Sequence, residues 1–234
     1  MVAPPTLSEM PSGAPLGPDG LCPEQPFGSL TLPMALSASL RLTPEQFERL
    51  CLANPEAVLE LAADGSLIPM TPTGSETSGR NSSLLVGLGQ AVQASGLPLK
   101  LFDSSGGFRL PDDSVRSPDA SLVLLDRWRA LSAQQRRSFA PLCPDLVVEL
   151  ASPKGASPSD EGPRGLTALR QKMADYQRNG ARLGWLLIPQ ERAVEVWGPL
   201  ESAEQGRRIE AATRLEGDPA FPGLRLDLEP IWAD

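Results

Sequence analysis

The sequence contains no histidine. That excludes Ser-His-Asp and Cys-His catalysis, histidine zinc sites and histidine-metal nucleases together, because each needs an imidazole as base or ligand. Cysteine is scarce: Cys22, Cys51 and Cys143 are odd in number and scattered, with no CxxC pair. Such usage speaks against a disulfide framework or a thiolate zinc site and for a reducing, cytoplasmic location. There is a single tyrosine, Tyr176. No apolar run reaches the roughly 18 residues of a membrane span, and the N-terminus lacks a basic start followed by an apolar stretch. Positive charge is also short, with 21 Lys+Arg against 29 Asp+Glu and a net charge of −8. Affinity for a polyanion would therefore need a local basic patch or a bound cation. Acid–base chemistry falls to carboxylates, lysines, Tyr176 or water on a metal.

What is present is enough for a core: 41% of the 234 residues are hydrophobic, consistent with one domain. Residues 1–33 are rich in Pro, Gly and Ser without periodicity and read as a disordered tail, with a single domain over 34–234. Thr43-Pro44-Glu45-Gln46 is a helix start with a capping box. The segments 57–61 and 66–70 read as strands joined through Asp64-Gly65, a hairpin signal. Leu84, Leu85, Leu88, Ala91 and Val92 form one apolar helix face ending at Gly96. Strands are expected at 99–102, 107–110 and 120–125, then a polar helix from about Arg127 to Phe139. Leu166, Leu169, Met173 and Tyr176 line one face of a later helix closed by Asn179-Gly180. Two further strands, 184–188 and 193–197, form a hairpin, and the C-terminal residues a packing arm. The order of elements predicts an α/β fold with a mixed β-sheet flanked by helices.

Pro144 to Pro153 encloses a short apolar strand with one carboxylate, Glu149, in its middle. Side-chain alternation puts Asp145, Val147, Glu149 and Ala151 on one face and Leu146, Val148 and Leu150 on the other. A charge there needs a partner: either a metal ion or a buried Arg or Lys. A second acidic residue, Asp119, follows Pro118 at the start of another strand. If the two strands are neighbours, about 4.8 Å apart, the carboxylates converge on one hard divalent cation, which takes oxygen ligands.

An Asp followed by a strand carrying Glu-x-Lys resembles the active-site core of the PD-(D/E)XK nucleases. Here Ala151 stands where that core has lysine. Lys172 is the replacement candidate, on the helix after the strand and one turn from Tyr176, at the border of the buried face. The resemblance extends through Leu59-Glu60-Leu61, Met70 to Thr77, Arg80-Asn81, Ser117-Pro118-Asp119, Cys143 to Leu150, Lys172 to Tyr176, Asn179 to Trp185 and Pro222-Gly223. Together these resemble the bacterial Uma-type putative restriction endonuclease family, from about residue 37 to the end. The resemblance implies a restriction-endonuclease-like core, a Mg²⁺ (or Mn²⁺) site, DNA as substrate and often a homodimer. It implies Asp119 and Glu149 as metal ligands, Lys172 as the catalytic lysine and Glu60 as a further acidic member. The alternative reading is a nuclease fold that has lost its chemistry and serves as a binding or regulatory module.

Overall fold

A computed structural model describes residues 40–70, 73–152, 165–199, 201 and 205–233. The tail expected over 1–33 and most of the Gly/Ser/Pro loop expected up to Gly165 lie outside the described residues.

Helix α1 (Pro44–Ala53) begins as its sequence dictates: Thr43 accepts from the Gln46 amide and the Gln46 side chain accepts from the Thr43 amide. Strands β1 (Leu59–Leu61) and β2 (Leu67–Pro69) form the expected hairpin. Its turn needs glycine, because Gly65 has φ +82° and a Cβ there would lie 2.8 Å from the Leu42 carbonyl oxygen. Gly65→Ala is accordingly expected to destabilise the protein by more than about 1 kcal/mol, read as a lower urea midpoint. The long helix α2 (Ser75–Ser95) ends at Gly96, which is left-handed at φ +67°. Strands β3 (Leu99–Asp103), β4 (Phe108–Arg109), β5 (Val115–Arg116) and β6 (Ala120–Leu124) follow.

Strands expected at 57–61, 66–70 and 107–110 are shorter than that, and the polar helix departs furthest from its sequence. The helix expected to reach Phe139 stops early: α3 spans Leu125–Ala130, and a separate 3₁₀ turn covers Gln135–Arg137. The reason is a second capping box inside the segment. Ser132 Oγ accepts from the Gln135 amide and Gln135 Oε1 accepts from the Ser132 amide, so the backbone restarts there.

Then come β7 (Leu146–Leu150), α4 (Leu166–Arg178), β8 (Leu183–Ile188) and β9 (Ala193–Trp197). The C-terminal part holds more structure than the packing arm read from the sequence: β10 (Arg207–Ile209), β11 (Arg214–Glu216), β12 (Arg225–Asp227) and α5 (Glu229–Trp232). Each is four residues or fewer, too short for a periodic signal.

The large sheet has the order β10-β9-β8-β7-β6-β3. Only β7 and β8 run parallel, with α4 between them in the chain; the other pairs are antiparallel. The alternation in β7 divides the core into two. Leu146, Val148 and Leu150 pack with Leu84 and Leu88 of α2 and with Leu226, Leu228 and Ile231. Val147 and Ala151 pack on the opposite face with Leu169, Met173 and Tyr176 of α4. A smaller sheet of order β2-β1-β5-β4 carries its own cluster of Phe47, Leu61, Leu67 and Val115. The chain passes from the small sheet to the large one at Ser117-Pro118-Asp119, between β5 and β6.

No helix among the described residues is long and apolar enough to cross a membrane. Cys143 is buried, and that burial pushes its thiol up to about 12. Since the thiolate is the reactive form, Cys143 is expected to resist alkylation at pH 8 in the folded protein and to react once urea unfolds it. Rapid labelling without denaturant, detected by peptide mass spectrometry, would contradict this environment.

Candidate active site

The junction of the two sheets gathers the residues singled out from the sequence. The β6–β7 register pairs Ala120 with Val148, so Asp119, one residue before β6, comes opposite Glu149. The Asp119 carboxylate is fixed from two sides: Oδ2 accepts from the Leu150 amide at 2.8 Å, and Oδ1 accepts from Asn81 Nδ2 of α2 at 3.4 Å. Glu149 points toward α4, as its place in the alternation requires.

Lys172 answers it. Its ammonium lies 2.8 Å from Glu149 Oε1 and 2.7 Å from Glu60 Oε1. It also donates to the Ser117 carbonyl at 3.2 Å. An ammonium has three donors, so these acceptors use all of them. The stem of Lys172 lies on the buried face of α4 and its Nζ sits 5.9 Å from the centre of the Tyr176 ring. Tyr176 is a fully buried core aromatic, as expected, but its hydroxyl also donates to Glu149 Oε1 at 3.2 Å.

Glu60 comes from β1, whose alternation sends Leu59 and Leu61 into the small core and Glu60 the other way. Beside Lys172 it holds the Ser117 amide at 2.9 Å and Arg116 at 3.2 Å, and Arg116 reaches on to Asp175 at 3.1 Å. Arg116, Asn81 and Asp175 escape the sequence reading as site members. For Arg116 the only local hint is its place just before Ser117-Pro118-Asp119.

The electrostatics follow from two buried carboxylates sharing one ammonium. Burial opposes the Glu60 charge, but Lys172 and Arg116 outweigh it and hold that carboxyl below its ordinary range. Glu149 is the less favoured of the two. Burial raises it, Lys172 lowers it, and the Asp119 and Glu60 charges raise it again, leaving it at about 8. Burial works against the Lys172 charge too, yet Glu149 and Glu60 keep the ammonium above its ordinary value. Tyr176 is held well above its usual range, first by burial and then by the same two carboxylates, so it acts as a donor.

Glu60, Asn81, Asp119, Glu149 and Lys172 line a cleft of about 100 Å³, also bordered by Thr73, Ser104 and Leu150. Its ionisable lining is three carboxylates, Glu60, Asp119 and Glu149, against one base, Lys172. Among the described residues, buried Asn81 Oδ1, on the same wall, has no hydrogen-bond partner. Among the described residues no three His, Cys, Asp or Glu side chains form a metal cage by themselves. The donor set nevertheless fits a hard divalent ion. Mg²⁺ is usually held by one or two carboxylates, with water and substrate oxygens completing its shell. The excess negative charge and the unpartnered amide oxygen suit that arrangement.

Comparison with known proteins agrees with this architecture. A family model described as "Uma2: Putative restriction endonuclease" matches residues 44–229. Among solved structures, the chain is similar to "a putative nuclease belonging to DUF820" from Anabaena variabilis ATCC 29413. The two are 20% identical with a TM-score of 0.62, and the match covers 82% of this chain and 98% of that one. No curated protein matches significantly. At such identity the structural likeness speaks for the fold alone. The family match covers most of the chain, from α1 to the start of α5, and with it the chain belongs to the Uma2 putative restriction endonuclease family.

Proposed function

We propose that the protein is a divalent-metal-dependent endonuclease that hydrolyses phosphodiester bonds in DNA. One observation carries the reading most: a buried lysine bridges two glutamates beside an aspartate in a cleft richer in acid than in base. Asp119 and Glu149 would hold Mg²⁺ or Mn²⁺. When bound, such an ion offsets charge on the scissile phosphate and makes water a stronger nucleophile.

The chain's own residues set the rest. Glu60, fixed by Arg116 and the Ser117 amide, keeps Lys172 ionised and pointed at Glu149. Tyr176 fixes the Glu149 carboxylate from the other side. To reach a phosphate oxygen, Lys172 must exchange one of its three acceptors. Its bond to the Ser117 carbonyl is the longest at 3.2 Å, and that acceptor is neutral. A neutral acceptor gives the weaker hydrogen bond, so this is the bond a phosphate oxygen replaces. The ammonium then stabilises the charge that develops on the phosphoryl group.

The rival reading, a nuclease fold without chemistry, draws on Ala151 at the strand-lysine position and on the full occupation of the Lys172 donors. Titration calorimetry separates the two. Mn²⁺ is expected to bind the wild type at one class of site and to lose that heat in Glu149→Ala. Equal heats from both proteins would remove the metal from this site.

A further inference from the structure

Next to the cleft lies a second cavity, of about 440 Å³. That is within the roughly 300–1,000 Å³ of ligand pockets. Its lining is unusual for a chain with only 5% aromatic residues. Phe102, Phe108, Trp128 and Phe139 all contribute. The Phe102 ring is 4.9 Å from Trp128 and 5.4 Å from Phe108, and Lys100 Nζ stands 5.5 Å from the Phe102 ring centre. Gly107 shapes the wall, because a Cβ there would meet the Phe139 ring at 2.4 Å.

The charge at this cavity runs against that of the whole protein. Arg136 and Arg137 line it, both exposed, and among the described residues Glu48 is the only acid in the lining. Neither arginine forms an ion pair among the described residues, whereas Arg109, Arg116, Arg170 and Arg208 each hold a carboxylate. A single loop separates this cavity from the active-site cleft. Ser104 borders the cleft, while Ser105, Gly106 and Gly107 border the aromatic cavity.

We propose that this groove binds unpaired nucleotides of the substrate strand, with a base stacked against Trp128 and neighbouring phosphates on Arg136 and Arg137. The inference rests on the nuclease reading and adds a substrate class to it: DNA with a single-stranded stretch next to the scissile bond. Aromatic platforms flanked by cations are how proteins hold single strands without reading their sequence. An apolar peptide would use the rings but would leave two unpaired guanidinium groups unexplained.

Tryptophan fluorescence tests it without needing catalysis. Trp185, Trp197 and Trp232 are buried, so Trp128 is the one a bound base can reach. In metal-free buffer, short oligothymidylate is expected to quench the full-length wild type, and Trp128→Leu is expected to lose the quench. Trp128→Leu should also weaken binding roughly ten- to hundredfold in fluorescence anisotropy of a labelled strand. Arg136→Ala/Arg137→Ala, two exposed changes that spare the fold, should weaken binding and flatten the log K versus log salt slope by about 1.4. The proposal is overturned if no quench appears, if an abasic strand binds as tightly, or if only apolar peptides occupy the groove. Cleavage without quenching would refute the groove and leave the nuclease reading standing. Quenching without cleavage under any divalent metal would do the reverse.

Discussion

Lys172→Met is expected to cost about 3–5 kcal/mol of stability, far beyond what a surface lysine contributes. The lysine is 6% exposed and its ammonium is the shared counter-charge of Glu60 and Glu149, which are each 3% exposed. Methionine keeps the stem's packing on α4, so the loss isolates the charge. Removing one member of a buried ion pair strands the other, and here two carboxylates are stranded at once. Arg116 still supports Glu60, so Glu149 bears most of the damage. Adding Glu149→Gln to Lys172→Met should therefore recover a measurable part of the stability, a coupling that appears only between residues in contact. Urea denaturation of the two single variants and the double variant measures it. Additive effects, or a loss below about 1 kcal/mol for Lys172→Met, would mean the ammonium is solvated and the bridge does not exist.

The second large effect is on activity. Glu149→Gln and Asp119→Asn should each lower DNA cleavage at least about a hundredfold, the scale seen when one group stabilising transition-state charge is removed. Neither change should unfold the protein. In Glu149→Gln the amide oxygen can still accept from Lys172 and Tyr176, and in Asp119→Asn the amide oxygen can still accept from the Leu150 N–H. Neutralising Glu149, which burial and two neighbouring carboxylates already push toward its protonated form, removes a charge the fold holds at a cost. Activity and stability therefore move independently at Glu149 and together at Lys172. Under the proposed function, that contrast separates the metal ligands from a lysine that serves both the fold and the chemistry.

The legible parts of this site are those encoded by local periodicity. Glu149 stands out because strand alternation gives each β7 residue a face. The same alternation sorts Val147 and Ala151 toward α4 and Leu146, Val148 and Leu150 toward α2. Helical spacing, one residue from Met173 and one turn from Tyr176, places Lys172 only at the border of the buried face; its position after the Glu149 strand and the family resemblance single it out. Glu60 is expected as an acidic neighbour, and the structure brings it into contact with Lys172 and Arg116. Arg116 and Asn81 carry no such pattern. Their roles depend on β5 running directly into β6 and on α2 crossing near Asp119, and no window of sequence reports that long-range geometry. The segment after Arg127 misleads for a local reason instead. The Ser132–Gln135 capping box is present in the sequence, but the helical run on both sides hides a restart within it.

Under the proposed function, Asp119, Glu149 and Lys172 form a working phosphodiesterase centre. The most direct measurement is nicking of supercoiled plasmid DNA by wild type and Glu149→Gln, with Mg²⁺ or Mn²⁺ and with EDTA. Metal-dependent nicking by the wild type that EDTA abolishes and Glu149→Gln lacks is the predicted result. Nicking that persists equally in Glu149→Gln, or an inactive wild type under both metals, would contradict it.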